Sequence, residues 1–275
     1  MLFLSRVMEF LTQTNEIPKL FGPTHITSFI LSISLGIALS LLFRKADKKT
    51  VRYILLVASV ISILLEIYKQ FVYSHTFDGH VMSFDYQWFV FPFQVCSTPM
   101  YVGLLAAITK KDTIHKPLCA FLATYGLFAG FAVMVYPGDV FINVVGINIQ
   151  TMVCHGLMVS IGIFLLATGY VRPRHSSMLG ALCVFTVIIV IATVLNETVY
   201  NSGILHGETF DMFFISRHFE SKLPIYSDIE KVIPYPYCLG VYIFCFSSAA
   251  YVLLLINMGV RRLVSLFTKK KVSIQ

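Results

Sequence analysis

Residues Val51–Tyr73 read VRYILLVASVISILLEIYKQFVY. The stretch is apolar for long enough to cross a bilayer, which takes about 20 residues of helix. Near its end it carries an acid and a base, Glu66 and Lys69, three apart and so on one helix face. Six further segments have the same character: Thr24–Phe43, Gln87–Ile108, Pro117–Tyr136, Asn148–Tyr170, Ser176–Tyr200 and Tyr237–Met258. The sequence therefore predicts an all-α polytopic membrane protein with seven transmembrane helices. Composition agrees: 57% of residues are hydrophobic and 13% charged, against about 25% charged in soluble domains. The mean hydropathy is +0.78. Ten-residue segments of alternating polarity are missing, which argues against a β-barrel.

The net charge of +7 is not a nucleic-acid signature, because its distribution follows the loops. Arg44, Lys45, Lys48, Lys49 and Arg52 fill the first connection; Lys110, Lys111 and Lys116 fill the third. Arg172 and Arg174 fill the fifth, and Arg261, Arg262, Lys269, Lys270 and Lys271 the tail. The positive-inside rule then places the N-terminus outside and the C-terminus inside. No secretory signal is expected, since the apolar start precedes Arg6 instead of following it. Leu2–Leu11 reads as a short amphipathic piece in the interface. A single domain is expected over 1–275, with an interfacial segment 1–23, an outer connection 201–236 and a basic inner tail 259–275. The connection holds the apolar cluster Phe210–Ile215 and reads either as a lid or as a loose linker.

All six cysteines fall within spans, so no disulfide framework and no zinc-type spacing is expected. His75, His80, His115 and His175 fall in predicted loops. Gly126 and Gly130 have the spacing that lets helices approach closely.

In the third span Pro92 and Pro99 bracket Gln94, Cys96, Ser97 and Thr98. Proline removes a donor and clashes one turn back, so the carbonyls of Trp88 and Val95 should be freed. Polar residues of four helices share one depth. At a rise of about 1.5 Å per residue, Glu66, Cys96 and His155 lie about 10–13 Å from the outer end of their spans. Asn196 lies at about 6 Å, and Glu197 follows it. Polar groups at such depth are costly and mark functional sites. A thiol and an imidazole together suggest nucleophilic catalysis, with Cys96 attacking and His155 taking its proton. Glu66 or Gln94 is available to orient the imidazole. Cys154, adjacent to His155, should point about 100° away. The site lacks the ligand set that zinc requires, and no cofactor is expected.

Phe93-Gln94-Val95-Cys96-Ser97-Thr98-Pro99-Met100-Tyr101 and Cys154-His155-Gly156 resemble motifs of the YwaF-like integral membrane family. Its animal representative, transmembrane protein 164, is a lipid acyltransferase. Glu66-x-x-Lys69 and Pro234-Tyr235-Pro236 are similar too, and the resemblance covers nearly the whole chain. It implies that Cys96 and His155 form the catalytic pair. It further implies that the reaction moves an acyl chain onto a lysophospholipid through an acyl-cysteine. The fold also resembles that of the androgen-induced hydrolases, which cleave fatty-acid esters with a threonine and a histidine. The sequence departs from the family pattern around Asn196–Asn201.

The expected function is thus intramembrane acyl transfer between phospholipid and lysophospholipid. Ser97, Thr98 or Gln94 would stabilise the oxyanion, and Lys69 would pair with the lipid phosphate. A site in the outer half is poorly placed for cytosolic acyl-coenzyme A, so a neighbouring phospholipid is the expected donor. The alternatives are a lipid ester hydrolase using the same pair, a small-molecule transporter, and an inactive lipid-binding scaffold.

Overall fold

The computed structural model describes residues 2–77, 81–138, 140–235 and 237–272. His80, Pro236 and the last three residues of the tail lie outside the described residues. The helices are α1 (Leu2–Leu11), α2 (Pro23–Leu42), α3 (Lys48–Ser74), α4 (Thr98–Ile108), α5 (Asp112–Val135), α6 (Val145–Ala167), α7 (His175–Asn201), α8 (Tyr226–Val232) and α9 (Tyr237–Val272). Among the described residues, α2, α3, α5, α6, α7 and the Tyr237–Arg262 part of α9 are long and apolar enough to cross a membrane. The chain is an integral, multi-pass membrane protein. One short hairpin interrupts the helical pattern: β1 (His75–Phe77) pairs antiparallel with β2 (Met82–Phe84).

The third predicted span, Gln87–Ile108, is not a continuous helix. A 3₁₀ turn at Trp88–Val90 leads into irregular chain, and only Thr98–Ile108 is α-helical. At about 1.5 Å per residue, α4 falls far short of the hydrocarbon thickness of about 30 Å. Pro99 begins this helix instead of breaking one, because it occupies the first turn, where no N–H is needed. The Trp88 carbonyl is not freed either; it accepts from the N–H of Phe91 at 3.2 Å.

Helix α6 is the hub. It is buried along most of its length, and small residues let its neighbours approach. A Cβ placed on Gly130 of α5 would stand 2.7 Å from the Met158 Cβ and 2.9 Å from the His155 carbonyl oxygen. Gly130 therefore makes the expected close approach, whereas Gly126 faces a cavity. Ser160 ties α6 to α2 by donating to the Ser32 carbonyl at 2.7 Å. Helix α5 contains a π turn, Leu122–Gly126, that turns Tyr125 toward α7 and α9. There Tyr125 stacks on Phe185 at 4.4 Å, and its hydroxyl bonds to that of Ser247 at 2.7 Å. Alpha-helical α1 has the expected bounds, and the chain after it is strapped to α3, where the Tyr68 hydroxyl donates to the Leu11 carbonyl at 2.6 Å.

His115 is not a loop residue. It is buried in the first turns of α5, with Nδ1 donating to the Ala106 carbonyl at 2.9 Å and Nε2 accepting from the Tyr170 hydroxyl at 2.6 Å. The polar run Lys110–Lys116 disguises a helix that begins at Asp112.

Candidate active site: a polar cavity between α3, α4 and α6

Glu66, Lys69, Cys96, Ser97 and His155 all line one cavity of about 130 Å³. Three local structures bring them together. On α3, Ser59, Ser62, Glu66 and Lys69 follow one another at spacings of three and four, so all four face inward. On α6, Gln150, Thr151, Cys154, His155 and Met158 do the same. Cys96 comes from irregular chain, one residue before the N-cap of α4.

That irregular chain is fixed by its own polar groups. The Gln94 carbonyl accepts from the N–H groups of Ser97 at 3.1 Å and Thr98 at 2.9 Å. The Thr98 hydroxyl donates to the same carbonyl at 2.8 Å, and the Ser97 hydroxyl accepts from the Gln94 N–H at 2.8 Å. Both hydroxyls are thus occupied in shaping the turn that presents Cys96. Cys96 is half-buried, at the N-terminal end of α4, where the helix dipole favours negative charge.

His155 is buried. Its Nδ1 lies 2.7 Å from the Thr151 carbonyl oxygen. A carbonyl only accepts, so Nδ1 carries the proton and Nε2 holds the lone pair. Nε2 is buried and has no hydrogen-bond partner among the described residues. A backbone carbonyl one turn back therefore orients the imidazole, in the place expected for Glu66 or Gln94. Glu66 is committed elsewhere: its Oε1 accepts from Lys69 at 2.8 Å and from Gln70 at 2.8 Å. Gln70 in turn donates to the Val90 carbonyl at 2.6 Å, anchoring the irregular chain to α3.

Cys154 also lines the cavity and accepts from the Gln150 amide at 3.6 Å. Adjacent residues of α6 thus line the same cavity. Ser59, Ser62, Gln150 and Thr151 went unremarked in the sequence. Their spacing of three and four along otherwise apolar helices is the signal that would have found them.

Gln94, Asn196 and Glu197 do not line the cavity; they hold the connection after α7. The Gln94 amide donates to the Asp211 carbonyl at 2.8 Å and its oxygen accepts from the Phe213 N–H at 2.8 Å. Asn196 makes the same double clamp on Met212, accepting from its N–H at 2.8 Å and donating to its carbonyl at 3.1 Å. The segment is docked, not a loose linker: Phe210, Met212, Phe213 and Ile215 are buried, and Phe210 packs on Phe91 at 5.3 Å. Phe213 and Phe214 sit in the left-handed region, with φ of 62° and 57°, a strained arrangement that surrounding bonds must enforce. The Asp211 carboxylate accepts from the Ser216 N–H at 2.8 Å, and burial pushes its pKa up to about 7. Glu197 lies at the rim, paired with Arg217 at 2.7 Å and His218 at 3.2 Å.

The cavity is smaller than the roughly 300–1,000 Å³ of a typical ligand pocket. It has room for the end of a lipid, not for a whole one. No cluster of three or more metal-ligating side chains occurs among the described residues.

No curated protein and no solved structure matches this chain. The model of one protein family does match, over residues 20–257, which takes in α2 to α8 and α9 as far as residue 257. The chain belongs to the TMEM164 family.

Proposed function

We propose that the protein is an intramembrane acyltransferase that moves a fatty acyl group from a phospholipid to a lysophospholipid through a thioester on Cys96. The observation that carries this reading is the partnerless Nε2 of His155, buried on the wall of a cavity that Cys96 also lines. An orphaned buried polar atom costs about 1–3 kcal/mol. A lone pair kept free on a cavity wall shared with a thiol has a use as a general base.

In the first half-reaction His155 Nε2 takes the Cys96 proton, and the thiolate attacks the ester carbonyl of the donor lipid. The tetrahedral adduct collapses to a thioester. The lysolipid alkoxide leaves, taking the proton back from His155. In the second half His155 removes the proton of the acceptor's hydroxyl, whose oxygen attacks the thioester. Cys96 leaves as thiolate and recovers its proton. The Cys96 N–H, which donates to no backbone carbonyl among the described residues, would stabilise the oxyanion at the start of α4. Lys69, held by Glu66 at 2.8 Å on the cavity wall, supplies a point charge for the lipid phosphate.

The test uses the purified full chain in liposomes with acyl-labelled diacyl phospholipid and an unlabelled lyso acceptor. Label should pass to the acceptor without added coenzyme A, and Cys96→Ser and His155→Gln should abolish the transfer. Strict dependence on acyl-coenzyme A would overturn the donor assignment. Label released only as free fatty acid would make the protein a hydrolase. Full activity of Cys96→Ser would remove the covalent mechanism.

A further inference from the structure

A second cavity, of about 710 Å³, lies at the end of the bundle where α5 and α7 begin. Lys48, Lys116, Arg172 and Arg174 line it, with Asp112 as their single carboxylate. Asp112 is already shared, pairing with Lys48 and, at 2.9 Å, with Lys116. Arg172 and Arg174 form no ion pair among the described residues. Basic loops at one membrane face normally spread their charge into water. Here the first turns of α7 pack on α5, where Pro117 stands 3.5 Å from a Cβ built on Gly180, and the four cations line one concavity. A concave surface of one sign focuses its field on an opposite charge.

The floor differs from the rim. Pro117, Cys119 and Ala120 supply apolar surface, and the nearby imidazole of His115 is already satisfied by Tyr170 at 2.6 Å. Helix α7 starts at this rim with Ser176 on the cavity wall. The N–H groups of His175 and Ser176, which donate to no backbone carbonyl among the described residues, add to the attraction for an anion. A cationic rim over an apolar floor suits a molecule with a phosphate at one end and an apolar body at the other.

We infer that this cavity is a binding site for a phosphate-bearing ligand, gripped by Arg172 and Arg174 with Lys48 and Lys116, and separate from the Cys96–His155 cavity. Such a phosphate comes either from an anionic lipid headgroup or from a soluble phosphate ester. The site stands whether or not the acyl-transfer reading holds, because neither cavity shares a residue with the other.

The experiment follows binding to the detergent-purified full chain by thermal shift and native mass spectrometry. The probes are dioctanoyl phosphatidic acid, dioctanoyl phosphatidylcholine and adenosine 3′,5′-bisphosphate. Saturable binding of phosphatidic acid is expected, weakening as salt is raised. Arg172→Gln with Arg174→Gln should weaken it at least about tenfold, since one charge-assisted bond is worth that much. Arg44→Gln with Lys45→Gln, charges in the α2–α3 loop outside the cavity, should leave it unchanged. If the arginine pair fails to fold, Lys116→Gln alone must still weaken binding. Bisphosphate binding as tight as phosphatidic acid assigns the site to soluble phosphates; binding of phosphatidic acid alone assigns it to headgroups. The inference is overturned if neither binds, if phosphatidylcholine binds equally well, or if the loop variant loses as much affinity as the arginine pair.

Discussion

Asn196→Ala should open the outer segment without unfolding the bundle. Asn196 is 1% exposed and clamps Met212 through two hydrogen bonds, at 2.8 and 3.1 Å. Each such bond contributes about 1 kcal/mol net. Losing both costs about 2 kcal/mol, close to a 30-fold rise in the opened fraction at about 1.4 kcal/mol per tenfold. The strained φ angles at Phe213 and Phe214 favour release once the clamp is gone. Glu197, the next residue, provides the internal control. Its partner Arg217 is half exposed, and surface pairs contribute about 0–1 kcal/mol, so Glu197→Gln should change opening by less than about fivefold. The assay is hydrogen–deuterium exchange of peptides covering residues 208–219, compared with peptides from α6. Faster exchange in the segment alone supports the clamp. Equal acceleration in α6, or an effect of Glu197→Gln as large as that of Asn196→Ala, would refute it.

His155→Ala should lower turnover about 10²–10⁴-fold, the usual contribution of a general base. It should barely change the melting temperature, because the only bond lost is the one to Thr151; a large stability loss would show a structural histidine instead. Gly130→Ala should destabilise by about 1–3 kcal/mol through overpacking, since its methyl would press on Met158 and the His155 carbonyl; an unchanged melting temperature would contradict that contact. Asp211 titrates near 7 when docked, above its ordinary value of 3.8. The docked state therefore holds a proton that the open state releases, and docking is favoured at low pH and weakened as pH rises through about 7. Exchange of the outer segment, corrected for intrinsic rates, should be faster at pH 8 than at pH 6. Asp211→Asn should remove that slope, and a slope of opposite sign would refute the assignment.

Six spans, and the lining of one cavity by Cys96 and His155, were legible because both depend on one-dimensional spacing. An apolar run measures the bilayer, and residues three or four apart share a helix face. The third span misled because hydropathy counts Phe89–Val95 as apolar without weighing what its backbone can do. Gln94, Ser97 and Thr98 spend their polar groups on a turn, so the chain there needs no helix to satisfy itself. Depth grouped Glu66, Cys96 and His155, which line one cavity, with Asn196, which does not line it. Its level matched, while its direction was set by a segment 16 residues onward, which spacing does not reveal. The orienting group of His155 escaped for a related reason: a backbone carbonyl leaves no mark on side-chain identity.

The central claim is a covalent one, that the acyl group rests on the Cys96 sulfur between donor and acceptor. Intact-protein and peptide mass spectrometry, after brief exposure to labelled phospholipid without acceptor, tests it most directly. The account predicts one acyl mass on the peptide carrying Cys96, removed by hydroxylamine, discharged by lysophospholipid and absent from Cys96→Ser and His155→Gln. Labelled product formed at full rate with Cys96 never modified, or the acyl group found on Cys154 instead, would contradict it.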